Sequence, residues 1–125
     1  MGIKFLLCDD SKLVRIKLKK MLERVEPGGN SPEFLEAEDG QQGVELYKEH
    51  GPDLVFLDIV MPEKSGVEVV KEIMEFDPEA TIIMASSVGT KENLKQALEF
   101  GAKDFIQKPL NSDKVKNVVQ RIFSE

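Results

Sequence analysis

Asp53-Leu54-Val55-Phe56-Leu57-Asp58-Ile59-Val60-Met61-Pro62 is the stretch on which the reading of this chain turns. It is a short apolar run between two prolines, too brief for a helix, and it reads as a strand buried on both faces. The run ends on a carboxylate, Asp58. An acid at the tip of such a strand is either a turn-forming residue or a reactive group held rigidly at the sheet edge.

Outward from that run, apolar segments alternate between strand-like and helix-like periods. Residues 3–8 form a first strand, stopped by Asp9-Asp10-Ser11, and either Asp10 or Ser11 can cap the helix that follows. From Lys12 to Val25, Val14, Leu18, Met21, Leu22 and Val25 recur at helical spacing, with the cationic residues between them read as a solvated face. Glu26-Pro27-Gly28-Gly29-Asn30-Ser31-Pro32 closes that helix, and the short, polar segment Glu33–Ala37 reads as an edge strand.

Asp39-Gly40 opens a second helix reaching about Glu49, with Val44 and Tyr47 inward; Gly43 inside it marks close packing or a tolerated weakness. Val70, Ile73 and Met74 mark a third helix that ends before Pro78, and Ala80–Ala85 is a fourth strand. Thr90 can cap a fourth helix carrying Leu94, Ala97 and Leu98, with Gly101 at its C-terminus. Asp104–Gln107 is a fifth strand; Asn111 or Ser112 then caps a helix with Val115, Val118, Val119 and Ile122 on one face. Five strands alternating with five helices give one α/β domain over residues 1–125, a doubly wound parallel sheet with helices on both faces.

Composition narrows the function. A formal net charge of -6 argues against direct nucleic-acid binding, which needs concentrated positive charge. One cysteine, Cys8, excludes an internal disulfide and suits a reducing compartment. No run approaches the roughly 20 apolar residues of a membrane span, and the N-terminus matches neither a signal peptide nor a myristoylation motif. A cytoplasmic, monomeric protein without membrane attachment is expected.

Ligands of open parallel sheets sit beyond the carboxyl ends of the strands, where strand order reverses. If the first and third strands are neighbours, Asp9, Asp10 and Asp58 meet there, and three carboxylates repel one another unless a cation lies among them. Mg2+ suits such a set, since it takes oxygen ligands and keeps several waters. Ser86 at the end of the fourth strand offers a hydroxyl, and Lys108 after the fifth an ammonium for a phosphoryl oxygen. That combination points to phosphoryl transfer onto aspartate.

Asp9-Asp10, Asp58 with Met61-Pro62 and Gly66, Ser86, and Lys108-Pro109, in this order and each at a strand end, resemble the receiver domains of two-component response regulators, particularly the single-domain chemotaxis (CheY-like) type. The resemblance spans essentially the whole chain and implies a flavodoxin-like sheet ordered 2-1-3-4-5. It implies that Asp58 accepts a phosphoryl group from a sensor histidine kinase, with Asp10 a direct metal ligand, Asp9 acting largely through water and the Val60 carbonyl a further ligand. Ser86 and Lys108 then bond the phosphoryl oxygens, across a Lys108-Pro109 bond that is commonly cis. Phe105 falls at the family's switch aromatic, whose movement alters the face of the fourth helix, fifth strand and fifth helix; plain core filler is the other reading.

The output is expected to be a downstream protein, such as a flagellar motor switch in chemotaxis, or a histidine phosphotransfer protein in a phosphorelay. An aspartate-nucleophile phosphatase fits less well, because such enzymes carry their nucleophile on the first strand with a second acid two residues on, where this chain has Val60. A flavin site fits poorly too, since Asp9 and Asp10 repel a flavin phosphate. Lys12, Arg15, Leu13 and Ile16 beside Asp10 are a candidate surface for the kinase or phosphotransfer partner. Val60 and Val88 cannot orient an attacking water, so slow self-dephosphorylation is expected.

Overall fold

The computed structural model describes residues 3–23, 32–87 and 90–124. Its elements run β1 (Lys4–Cys8), α1 (Lys12–Leu22), β2 (Glu33–Ala37), α2 (Gly40–His50), β3 (Leu54–Asp58), α3 (Gly66–Phe76), β4 (Ile82–Ser86), α4 (Lys91–Glu99), β5 (Asp104–Gln107) and α5 (Ser112–Phe123). All pairings are parallel, in the order β2-β1-β3-β4-β5. Val25, the turn residues 27–31 and Val88 lie outside the described residues.

The period-two alternation of the strands sorts their side chains into two cores. In β3, Leu54 and Phe56 join Phe5, Leu7, Leu18, Leu22, Val115 and Val119 beneath α1 and α5. Val55 and Leu57 face the other way, against Leu6, Val44, Tyr47, Val70 and Ile73 under α2 and α3. Every residue of β3 is buried, as a strand covered on both faces requires. The edge strand β2 is more exposed, and its Glu33 pairs with Lys4 across to β1.

Local chemistry starts and stops the helices. The Ser11 hydroxyl accepts from the Val14 amide, Asp39 accepts from Gln42, Ser65 from Glu68, and Asn111 from Asp113 and Lys114. Gly101 follows α4 with φ +123° against the Met74 side chain, the conformation and clearance that favour glycine. Gly43 is the close contact its place in α2 suggested: a Cβ there would lie 2.6 Å from Cys8 Sγ.

Four expectations change. Arg15 does not belong to a solvated face; it is buried, its Nε donating to Glu36 at 2.9 Å and its Nη1 to the Asp9 carbonyl at 2.6 Å. It sits three and seven residues before Leu18 and Leu22, on the stripe of α1 that faces the sheet. Thr90 occupies the N-cap of α4, but its hydroxyl makes no capping bond because it is engaged by the Ser87 carbonyl and amide. Leu98 is exposed, since α4 meets the core chiefly through Ala97 one position earlier. β4 begins at Ile82, with Ala80 held in the preceding turn by a bond to the Asp77 carbonyl.

Gly43→Ala should lower stability by about 1–3 kcal/mol, as overpacking does. Adding Cys8→Ala should restore part of that loss, so that urea melts of the two single variants and the double variant are non-additive. Strict additivity would show that the two residues do not share the contact.

Candidate functional site

The strand order reverses between β1 and β3, and both strands deliver acids to that crevice. Asp9 follows β1 and is almost fully buried, Asp10 beside it is exposed, and Asp58 is the buried last residue of β3. Their carboxylate oxygens lie within 4.8 Å of one another. Ser86 ends β4, buried, and Lys108 follows β5. The Lys108-Pro109 peptide is cis, and the Lys108 amide donates to the Ser86 carbonyl at 2.6 Å.

One ammonium links the two buried acids. Lys108 Nζ lies 3.0 Å from Asp9 Oδ2 and 3.1 Å from Asp58 Oδ2. Burial alone would lower the Lys108 pKa, but its bonds to Asp9 and Asp58 outweigh that and raise it. Asp58 is pushed above the usual carboxylate range, first by burial and then by the charge of Asp9; Lys108 and the Val60 amide offset only part of this. Asp58 therefore carries a charge that its surroundings undercompensate.

That deficit, and a donor set made only of carboxylate oxygens, fit a hard divalent cation. Asp9, Asp10 and Asp58 could hold Mg2+, with water completing the shell. Asp10 offers its side chain to solvent, and Asp9 Oδ1 is already engaged by the Ser11 amide at 2.9 Å. Val60 lies two residues beyond Asp58, its side chain exposed and its amide donating to Asp58 Oδ1 at 3.4 Å.

The loop after β3 is shaped to leave the acid at the surface of the crevice. Gly66 donates to the Ile59 carbonyl at 2.7 Å, and a Cβ on it would overlap the Asp58 carbonyl. Beneath, Met61 Sδ meets Cys8 Sγ at 3.5 Å. Burial first, and then the nearby acids Asp39, Asp9 and Asp58, push the Cys8 thiol up to about 12, so it stays protonated and inert.

Phe105 is not in the crevice and does not fill the core; the residue is 44% exposed on β5. It borders a groove of about 290 Å³ lined also by Gln107, Lys114, Val118 and Arg121. Arg15, which motif reasoning left on the surface, backs the site by holding the Asp9 carbonyl. The signal available was its register with Leu18 and Leu22.

Fold and site together define a doubly wound parallel α/β protein with an acidic, lysine-bridged pocket at its switch point. A family model described as the response regulator receiver domain matches residues 5–120, and the chain belongs to that family. The chemotaxis protein CheY of Bacillus subtilis is 42% identical over 122 residues, covering 97% of this chain and 98% of that protein. Protein CcdB of the same organism is 41% identical over 117 residues, 94% of each chain. A crystal structure of a CheX-CheY-BeF3-Mg complex from Borrelia burgdorferi superposes with a TM-score of 0.85 at 36% identity, covering 97% of this chain and 89% of that one. The chain is thus a CheY-like receiver domain, of a family that serves signalling rather than conventional enzymology. Among the described residues, no helix is long and apolar enough to cross a membrane.

Because ionised Asp58 is undercompensated, Asp58→Asn should stabilise the protein in EDTA at pH 7 by on the order of 1 kcal/mol in thermal or urea melts. The sign follows from proton linkage: a carboxyl whose folded pKa is raised binds its proton more tightly folded, so the wild type loses stability as pH rises through that range. The advantage of Asn should hold above the raised pKa and fade as pH falls below the usual carboxylate range. An equally stable or weaker variant at pH 7 would count against the charge deficit.

Proposed function

We propose that this chain is a phosphorylation-controlled response regulator whose phosphoacceptor is Asp58. The observation that carries the reading is the Lys108 ammonium set between Asp9 and Asp58 at the mouth of the sheet, with Asp10 alongside. In this reading an Asp58 carboxylate oxygen attacks the phosphorus of a phosphohistidine on a sensor histidine kinase. The P–N bond breaks, its electron pair stays on the imidazole nitrogen, and that nitrogen takes up a proton. Asp10, Asp58 and the Val60 carbonyl would hold Mg2+, with Asp9 acting largely through water, and the ion would neutralise charge on the transferring group. Lys108 exchanges its bond to Asp58 for one to a phosphoryl oxygen, and Ser86 donates its hydroxyl to another.

Phosphorylation then shifts a population. The state favoured is the one that bonds the added charge better, through Ser86 and Lys108, and Phe105 reports the change on the face of α4, β5 and α5. An exposed ring with a groove beside it supports that assignment, since it has somewhere to go and a surface to alter. The downstream partner binds this face. Relatives named for chemotaxis support an output to the flagellar motor, and transfer onward to a histidine phosphotransfer protein is the alternative. A kinase donor also implies a cytoplasmic location.

For docking of the donor, Lys12 with the exposed Leu13 and Ile16 is the available surface next to Asp10; Arg15 is committed to Glu36 and Asp9. Lys12→Glu combined with Leu13→Ala should slow transfer from the kinase and leave phosphorylation by acetyl phosphate unchanged. Equal loss with both donors would remove docking from the account.

The direct test is intact mass after acetyl phosphate and magnesium. One added phosphoryl group is expected on the wild type, and none on Asp58→Asn or in EDTA; a phosphoryl group that survives Asp58→Asn would assign the acceptor elsewhere. Decay of the phosphorylated protein should be slow, and a glutamate or asparagine at both Val60 and Val88 should hasten it. No change in lifetime would mean that these positions do not govern water access.

A further inference from the structure

We infer that Arg15 is a positioning residue for the acid site: its guanidinium fixes the Asp9–Asp10 peptide and so sets where the Asp10 carboxylate meets the cation. The inference rests on the receiver reading above and deepens it.

Among the described residues, the Asp10 side chain has no hydrogen-bond or ion-pair partner, whereas Asp9 is tied on every side. The Asp9 amide donates to the Ala37 carbonyl at 3.0 Å, its Oδ1 accepts from Ser11 and its Oδ2 from Lys108. Asp10 thus inherits its place from the backbone alone. Among the described residues, the one side chain that grips the peptide joining the two acids is Arg15, whose Nη1 donates to the Asp9 carbonyl at 2.6 Å.

The guanidinium is itself anchored. Its Nε donates to Glu36 Oε1 at 2.9 Å, and Lys19 holds the other oxygen of the same carboxylate at 2.5 Å. Lys19 first, with Arg15, keeps Glu36 below the ordinary glutamate range, so the anchor stays charged near neutrality. The Arg15 bond to the Asp9 carbonyl is buried and shielded from competing water, while the Glu36 end of the clamp is partly exposed. A line of contacts therefore runs from β2 through Glu36 and Arg15 to the peptide that carries Asp10.

Fork geometry, rather than charge, is what this role demands. A lysine at position 15 keeps the positive charge, yet a single ammonium on a flexible stem cannot reproduce two rigidly spaced donors aimed at different acceptors. Arg15→Lys separates the two contributions. Less restraint on Asp10 means a greater ordering cost when a cation binds.

The test titrates the full chain with Mg2+ by calorimetry. Arg15→Lys should weaken Mg2+ binding by about 10-fold, the lower end of what loss of an outer-sphere contact costs. In metal-free protein, 15N relaxation should show the Asp10 and Ser11 amides more mobile in Arg15→Lys than in the wild type. Tyr47→Phe removes the 2.7 Å bond to Asp77, between α2 and the end of α3, and serves as a control destabilised away from the acids. It should leave both readouts unchanged. Should Arg15→Lys fail to fold, Glu36→Gln, which loosens the anchor and leaves the guanidinium, should still weaken Mg2+ binding severalfold.

Affinity in Arg15→Lys within about twofold of the wild type would overturn the positioning role while leaving the receiver reading intact. Equal losses in Arg15→Lys and Tyr47→Phe would overturn it too, by tracing the effect to stability. A wild type that takes up no Mg2+ would bring down the receiver reading and this inference together.

Discussion

Three carboxylates share the mouth of one crevice, and two of them are buried. Left alone, such a group would push its members toward protonation or push the strands apart. Lys108 answers part of that demand by reaching both buried acids from the far side of the sheet. It does not answer all of it, because the Asp58 carboxyl remains raised by burial and by Asp9. The fold is therefore held slightly short of its most favourable charge arrangement, and a cation among the three acids would complete it. Spare negative charge of this kind suits a divalent ion, while Asp58 stays paired to Lys108 at 3.1 Å.

The sheet supplies the rigidity that this arrangement needs. β1 and β3 are neighbours buried under helices on both faces, so their tips have little freedom. Gly66 lets the loop after β3 fold back onto the Asp58 carbonyl, and the Met61–Cys8 contact fills the space beneath. The outer parts differ in kind: Asp10 and Phe105 lie exposed, where the proposed reading brings a metal and a partner.

Much of this was legible in the chain. The buried run at Leu54–Asp58 and the acids at two strand tips follow from period and flanking residues, and β2 and β5 begin and end where composition put them. What was not legible shares a cause. Arg15 and Thr90 take their roles from partners far off in the fold or across a turn, Asp9 and Glu36 for one, the Ser87 backbone for the other. Charge made Arg15 look solvated although its register placed it inward. Leu98 and Phe105 are apolar residues on thinly covered elements, where local pattern does not say how much of a helix or edge strand meets the core. Which oxygen of a carboxylate pairs with which cation depends on rotamers, and no spacing rule reaches that.

β2 lies at one end of the sheet, and among the described residues no strand pairs with its outer edge. An open edge is a template on which a second chain can add a strand, and native proteins blunt such edges with charge. Here Glu33 and Glu36 flank Phe34 and Leu35 along the strand, and Glu36 is drawn by Arg15 and Lys19 toward α1. The glutamate that steadies the acid pocket thus also places charge on a border where flat hydrophobic strands would stack into aggregates.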